Sequence, residues 1–170
     1  GNQQGGGSTI TQQLAKNLFP RDTTKYSSKF TKTLSLMFTK FKEWVTAVKL
    51  ERNYTKEEIM VMYLNTVPFG HETFGIKSAA RTFFNISPDS LKLEQAAMLI
   101  GMLKAPTKFS PVLNPDNAIK RRGVVLNQMQ KYKFITQEVY DSLKALPLNL
   151  CYKAQDHKQG LATYFREYLR

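Results

Sequence analysis

Apolar residues recur at intervals of three and four along most of the chain, and strict alternation of apolar and polar residues is scarce. Such spacing is typical of amphipathic helices, so the sequence predicts a mainly α fold. The predicted helices cover about residues 9–18, 33–52, 55–63, 76–84, 91–103, 115–132 and a last segment after Thr136. The helix over 91–103 is expected to be the most buried, and 21–30 to be an exposed basic connection.

Local patterns mark several helix starts. Thr55 and Glu58 have the spacing of a capping box, in which each side chain bonds to the backbone N–H of the other residue. Asn114 followed by Pro115 is typical of an N-cap with proline at the first helical position. Thr136 is expected to cap the last helix.

The long helix over 33–52 has two contrasting faces. One is an apolar stripe, predicted to be core or membrane contact, formed by Leu34, Met37, Phe38, Phe41, Val45 and Val48. At about 100° per residue, Lys40, Glu43, Ala47 and Glu51 share a second face within an arc of roughly 80°. From the residues alone, this second face indicates a solvated surface with an ion pair between Lys40 and Glu43.

Composition suits one ordered domain with an anionic partner. The chain has 170 residues, 42% hydrophobic residues and a formal net charge of +12. Such a charge favours nucleic acid, phospholipid headgroups or a phosphorylated substrate. A single cysteine excludes an internal disulfide framework, and neither a signal peptide nor an apolar run of about 18 residues occurs. Because the chain begins at Gly1 without methionine, we expect it to be part of a longer polypeptide.

The glycine run at 5–7 leads into a helix rich in hydrogen-bonding side chains. A helix N-terminus offers free N–H groups and a partial positive charge, which suit phosphate. At spacings of three and four residues, one face would carry Thr9, either Gln12 or Gln13, and Lys16. Two interpretations stay open from the residues: a capped surface helix or a phosphate-binding site. The lysine lies too far beyond the glycines for a P-loop.

Basic and aromatic residues are interleaved between Lys16 and Arg52, where nine Lys or Arg accompany three acids. This mixture favours a membrane surface rich in anionic headgroups. The rival interpretation is a nucleic-acid patch, but no recognised nucleic-acid module is present, so we expect no nucleic-acid partner. His71 and His157 have no companion at metal-ligand spacing, so no zinc site is predicted.

Specific motifs then resemble a known family. The segment GGSTITQQLAKN at 6–17 resembles the signature motif of the family 51 glycosyltransferases, which build glycan strands from lipid II. The segment TKFKEWVTAVKLE at 39–51 is similar to the family's RKxxE and LE block, with Thr39 at the place of the usual Arg. KEEIMVMYLN at 56–65 and LEQAAMLIGMLKAP at 93–106 resemble later blocks, and the resemblance extends to about Leu143.

The resemblance implies a lysozyme-like fold with a larger lobe and a smaller membrane-facing lobe. It implies inverting transfer of a growing glycan from undecaprenyl pyrophosphate onto the sugar 4-hydroxyl of the next lipid II. The family's general base is a Glu in an earlier block, which would lie upstream of Gly1. We therefore expect this chain alone to be inactive, and the alternative is that it is a binding module for lipid-linked sugar without catalysis.

The resemblance also assigns roles to residues of this chain. Lys40 and Glu43 are the implied catalytic residues, and Glu43 is also the implied ligand of a divalent cation such as magnesium. The residues implied to bind the pyrophosphate and sugar are Gly7, Ser8, Thr9, Gln12, Gln13, Lys16, Asn17 and Asn65.

The expected organisation is a glycosyltransferase domain over 1–145 and a linker over 146–170. The end of the chain, GLATYFREYLR, resembles the junction that leads into a penicillin-binding transpeptidase domain. The implied partners are lipid II, the growing glycan, the membrane surface and the cell-wall synthesis machinery. The implied location is the extracytoplasmic face of the bacterial inner membrane, with an anchor upstream of this chain.

Overall fold

A computed structural model describes residues 8–19 and 29–153. The chain divides into two units, an N-terminal unit ending at Val67 and a C-terminal unit beginning at Pro68. The described residues form seven α-helices and one short β-hairpin. The predicted mainly α fold is therefore confirmed.

The N-terminal unit consists of α1 (Ile10–Leu18), α2 (Lys29–Asn53) and α3 (Lys56–Thr66). Helix α3 starts with the predicted capping box: the Thr55 hydroxyl accepts from the Glu58 backbone N–H at 3.2 Å, and the Glu58 carboxylate accepts from the Thr55 N–H at 2.8 Å. Both bonds satisfy N–H groups that lack partners within the helix. Helix α3 continues three residues beyond its predicted end at Tyr63.

Helix α2 is longer than predicted. It begins at Lys29, so the end of the predicted basic connection is helical, while residues 20–28 lie outside the described residues. No glycine or proline interrupts the sequence from 29 to 53, so nothing in the backbone chemistry stops the helix earlier.

The buried face of α2 is the face that carries Glu43. Glu43 is 7% exposed and Ala47 is 4% exposed, whereas Phe38 on the apolar stripe is 67% exposed. The interpretation of this face as a solvated surface is therefore wrong for Glu43 and Ala47. Lys40 and Glu51 are exposed as expected, and the predicted ion pair between Lys40 and Glu43 is confirmed.

The C-terminal unit starts with a hairpin that the sequence did not predict. Strands β1 (Pro68–Gly70) and β2 (Thr73–Phe74) are antiparallel, and three and two residues are too few to show alternation. The turn residues His71 and Glu72 both have positive φ, at 52° and 56°. Positive φ at both central positions is the conformation that matches the twist of a tight hairpin.

Four helices and a 3-10 turn at Pro88–Ser90 complete the C-terminal unit. The helices are α4 (Ile76–Phe84), α5 (Leu93–Met102), α6 (Pro115–Lys131) and α7 (Gln137–Ala145). Met98, Leu99 and Met102 of α5 are almost fully buried, as predicted for this segment. Helix α6 approaches α5 closely at Gly101, where an added Cβ would lie 3.1 Å from the Arg121 side chain.

The starts of α6 and α7 follow the predicted positions with one difference. Thr136 caps α7 by accepting from the Val139 N–H at 3.3 Å. Asn114 precedes Pro115 as predicted, but its side chain does not cap α6. The Asn114 amide instead donates to the Thr107 carbonyl at 3.1 Å, which ties the preceding loop together.

Arg122 on α6 holds the segment that follows α7. It is 2% exposed and donates to the carbonyls of Lys144, Leu146 and Pro147. Burial lowers the pKa of the Arg122 guanidinium, and the nearby Glu94 carboxylate opposes this by raising it. The Lys144 carbonyl lies in the last turn of α7 and has no partner within the helix, and the other two carbonyls belong to the segment after it.

The first part of the predicted linker over 146–170 lies against the C-terminal unit. Beyond the Arg122 bonds, the Cys151 N–H donates to the Phe83 carbonyl and the Lys153 N–H to the Thr82 carbonyl, both at 2.9 Å. The assignment of residues 154–170 to a linker falls outside the described residues.

Replacement of Arg122 tests this anchoring. We expect Arg122→Met to lower the free energy of unfolding by about 2–4 kcal/mol, because buried carbonyls lose their donors. Urea unfolding would measure the change, with Lys120→Met, an exposed substitution on the same helix, as the control. Equal stability of the two variants would contradict the proposed contribution of Arg122.

Candidate active site

Several polar residues of the signature segment lie on the accessible side of α1, whereas Thr11 is buried. Leu14 and Ala15 are buried, at 0% and 1% exposure, while Gln13 and Lys16 are exposed and Gln12 is half-buried. At about 100° per residue, Gln12 and Lys16 lie about 160° around α1 from Leu14, and Gln13 lies about 100° from it. The structure therefore brings together the described residues that helical spacing had grouped, and their role in binding stays a prediction.

A network of short-range bonds orders the start of α1. The Thr9 hydroxyl accepts from the Gln12 N–H, and the Gln12 side chain accepts from the Thr9 N–H, both at 3.2 Å. The Gln13 amide donates to the Ser8 carbonyl at 3.3 Å. These bonds confirm that α1 is a capped helix, which is one of the two interpretations left open by the sequence.

A long-range bond adds a residue that the sequence did not assign to the site. The Tyr63 hydroxyl of α3 donates to Gln13 Oε1 at 3.1 Å. Tyr63 is 6% exposed, and burial raises the pKa of its hydroxyl. A buried tyrosine generally has a partner for its hydroxyl, so its place among apolar residues of α3 was the signal available in the sequence.

The electrostatics of α1 favour an anion at its N-terminus. The first turn contains no acidic residue that would neutralise the partial positive charge of the helix end. Ser8 and Thr9 are both exposed there. Lys16, in the last turn, adds a full positive charge to the same face.

Lys40 and Glu43 form an ion pair with unequal exposure. Lys40 Nζ lies 2.8 Å from Glu43 Oε2, and the side chains are 56% and 7% exposed. The carboxylate is thus held inside the N-terminal unit while the ammonium reaches solvent. Thr39, at the place of the family's usual Arg, turns its hydroxyl back to the Ser35 carbonyl at 2.8 Å and supplies no charge.

The described residues do not by themselves fit a magnesium site. Over residues 8–19 and 29–153, no three His, Cys, Asp or Glu side chains cluster to hold a metal ion. The Glu43 carboxylate is bonded to the Lys40 ammonium, whereas magnesium takes six oxygen ligands in an octahedron. The role of Glu43 toward a divalent cation stays a prediction.

The structure does not group every predicted residue with the α1 face. Asn17 is half-buried on α1, and Gly7 lies outside the described residues. Asn65 is exposed on α3, about 160° around the helix from Tyr63, which is the α3 residue that contacts Gln13. The predicted contact of Asn65 with substrate therefore gains no support from its position.

A pocket of about 420 Å³ in the N-terminal unit is separate from the predicted phosphate-binding face. Its lining residues are Ile10, Thr11, Glu51, Tyr54, Lys56, Ile59 and Met60. The α1 residues among them, Ile10 and Thr11, do not belong to the face that carries Gln13 and Lys16. Among the described residues, the candidate site is therefore the α1 face and not this pocket.

Comparisons with known proteins agree with the motifs. The Transglycosylase family profile matches residues 1–130. Penicillin-binding protein 1A of Aquifex aeolicus is 36% identical over 165 residues, which are 97% of this chain and 21% of that protein. Penicillin-binding protein 1A/1B of Bacillus subtilis is 44% identical over 140 residues, which are 82% of this chain and 14% of that protein.

A solved structure is similar as well. The crystal structure of penicillin-binding protein 1A from Haemophilus influenzae matches with a TM-score of 0.53 and 29% identity, over 69% of this chain and 18% of that one. The chain thus spans about a fifth or less of the length of these relatives. Since the family profile covers most of the chain and includes both α1 and the Lys40–Glu43 pair, the chain belongs to the transglycosylase family.

Proposed function

We propose that this chain is part of a peptidoglycan glycosyltransferase that polymerises lipid II into glycan strands and releases undecaprenyl pyrophosphate. Membership of the transglycosylase family over residues 1–130 carries the proposal. The accessible, acid-free start of α1 supports it, because the reaction needs a site that stabilises a departing pyrophosphate.

The α1 face provides the groups that leaving-group stabilisation requires. Negative charge develops on the pyrophosphate as the glycosidic bond breaks, and preorganised donors lower the barrier most when they meet that charge. Residue 16 lies about 10 Å along the axis from the start of α1, and a long lysine side chain folds back toward the N-terminus. Lys16, the Gln13 amide and the helix end would then surround one anion.

The Lys40–Glu43 pair would supply a second positive group. Because Glu43 is buried and Lys40 is half-exposed, the carboxylate restrains the ammonium while leaving it accessible to an anion. A cation held in place costs less reorganisation on substrate binding than a freely rotating lysine. We therefore assign Lys40 the contact with pyrophosphate and Glu43 the role of holding Lys40.

Membrane contact is proposed for the exposed apolar side chains of α2. Met37, Phe38, Phe41 and Trp44 are each more than half exposed, and the Phe41 and Trp44 rings lie 6.0 Å apart. None of the helices in the described part of the chain has the length and hydrophobicity to span a bilayer. An exposed apolar patch beside lysines suits the surface of an anionic membrane.

The substrate determines the proposed location and partners. Lipid II is used at the extracytoplasmic face of the bacterial inner membrane, where the growing glycan and the cell-wall synthesis machinery also act. The exposed α2 surface would place the α1 site close to the lipid that carries the sugar.

Replacement of Glu43 tests the role of the pair. In the full-length protein, we expect Glu43→Gln to lower kcat for lipid II polymerisation about 100-fold while KM changes little, since Lys40 loses its restraining charge. Glu57→Gln, an exposed substitution on α3, is the matched control. An unchanged kcat would mean that the ion pair between Lys40 and Glu43 is purely structural.

The same assay separates the enzyme from the alternative of a binding module. The full-length protein should polymerise lipid II, and the 170-residue chain alone should not, because we place the general base outside this chain. Loss of a general base costs roughly 10²- to 10⁴-fold in rate. Failure of the full-length protein would overturn the proposed function, and robust turnover by the chain alone would overturn the placement of the base.

Replacement of Lys16 tests the α1 face. We expect Lys16→Ala to weaken binding of farnesyl pyrophosphate about tenfold or more, the loss typical of a hydrogen bond to a charged group, and the loss should shrink as salt rises. Isothermal titration calorimetry would measure it, with Lys49→Ala on α2 as the control. Binding as tight as that of the unsubstituted protein would make the α1 motif structural only.

Replacement of two α2 aromatics tests membrane contact. We expect Phe38→Ser with Phe41→Ser to reduce partitioning onto phosphatidylglycerol vesicles at least tenfold, because both exposed rings would lose apolar burial. Phe134→Ser, at a residue 77% exposed in the C-terminal unit, is the control. Equal loss in the control would mean that the vesicles do not recognise α2.

A further inference from the structure

The bond between Tyr63 and Gln13 joins residues 50 positions apart in sequence. Tyr63 lies on the buried face of α3. Ile59, one turn earlier on the same face, is also 6% exposed. The Tyr63 hydroxyl is protonated near neutral pH, as in any tyrosine, and can therefore donate, and burial raises its pKa further. Gln13, its acceptor, is exposed on the α1 face.

Two contacts select the same orientation of the Gln13 amide. Gln13 Nε2 donates to the Ser8 carbonyl at 3.3 Å, and Oε1 accepts from the Tyr63 hydroxyl at 3.1 Å. A flipped amide would place Oε1 against the Ser8 carbonyl, where two acceptors repel. It would also leave the Tyr63 proton without its acceptor, an unfavourable state for a buried hydroxyl.

The selected orientation leaves a donor facing outward. A glutamine amide has two N–H groups on Nε2, and the Ser8 carbonyl takes one of them. Within the described residues the second N–H makes no hydrogen bond, so it is available to a ligand at the start of α1. The oxygen, which would repel an anion, is turned toward α3.

We infer that Tyr63 is a positioning residue that fixes the polarity of the Gln13 amide, so that an N–H rather than an oxygen meets the substrate pyrophosphate. The inference rests on the proposed function, since the anion it serves is the pyrophosphate of the lipid-linked donor. Tyr63 acts through Gln13 and does not itself touch the substrate. Its contribution should therefore vanish when position 13 has no amide.

A double-mutant cycle of Tyr63→Phe and Gln13→Met in the full-length protein tests this dependence. We expect Tyr63→Phe to weaken binding of inorganic pyrophosphate about three- to tenfold, the effect of one ordinary hydrogen bond. It should lower kcat for lipid II polymerisation by a similar factor with less effect on KM, because the Gln13 donor meets charge that develops on the departing pyrophosphate. In the Gln13→Met background, Tyr63→Phe should leave pyrophosphate affinity unchanged. The effects of the two substitutions on affinity are not additive, because Tyr63 acts only through the amide that this background lacks.

Thermal unfolding and a matched substitution separate positioning from stability. Tyr54→Phe, at a tyrosine 46% exposed after α2, should leave pyrophosphate affinity unchanged. A merely structural Tyr63 would lower the melting temperature in both backgrounds without coupling to pyrophosphate affinity. Unchanged affinity in folded Tyr63→Phe, or equal losses in the two backgrounds, would overturn the inference.

A variant at Gln13, the exposed partner of Tyr63, tests the inference even if Tyr63→Phe does not fold. Gln13→Glu retains an acceptor for Tyr63 but removes the N–H donors, so it should weaken pyrophosphate binding more than Gln13→Met does. Equal or tighter binding by Gln13→Glu would overturn the inference. Lipid II polymerisation by the unsubstituted protein is the separate check on the proposed function: if it polymerises and the cycle shows no coupling, only the role of Tyr63 falls.

Discussion

The burial of the Glu43 face of α2 is the constraint on which the N-terminal unit depends. A buried carboxylate is costly unless it is paired, and the Lys40 ammonium at 2.8 Å provides a pair. With Glu43 and Ala47 turned inward, the apolar stripe of the same helix must face outward. One choice of helix rotation therefore sets both the position of the ion pair and the exposure of Phe38 and Phe41.

Helix α1 divides its polar residues between two tasks. Thr9 and Gln12 bond to each other's backbone and complete the helix start, so their side chains are largely committed to stability. Gln13 and Lys16 lie on the exposed face, and only the oxygen end of Gln13 is tied to a distant element. The polar residues of one motif thus include capping residues and outward-facing residues with different chemistry.

Local features of the fold could be predicted from the sequence, and long-range ones could not. The starts of α3 and α7 follow from Thr55 and Thr136, because capping involves residues within one turn. The rotation of α2 could not be predicted, since its apolar stripe suited a core as well as a membrane. The bonds of Arg122 and Tyr63 join distant segments, and neither residue stands out by spacing alone.

The attachment of residues 146–153 determines where a mechanical load would enter the C-terminal unit. Arg122 of α6 donates hydrogen bonds to the carbonyls just after α7, and the backbone N–H groups of Cys151 and Lys153 donate to carbonyls at the end of α4. Tension arriving from later residues would therefore reach α4 first and α6 next. Helix α7, although it immediately precedes this segment in the chain, would be shielded from the pull until those two attachments had failed.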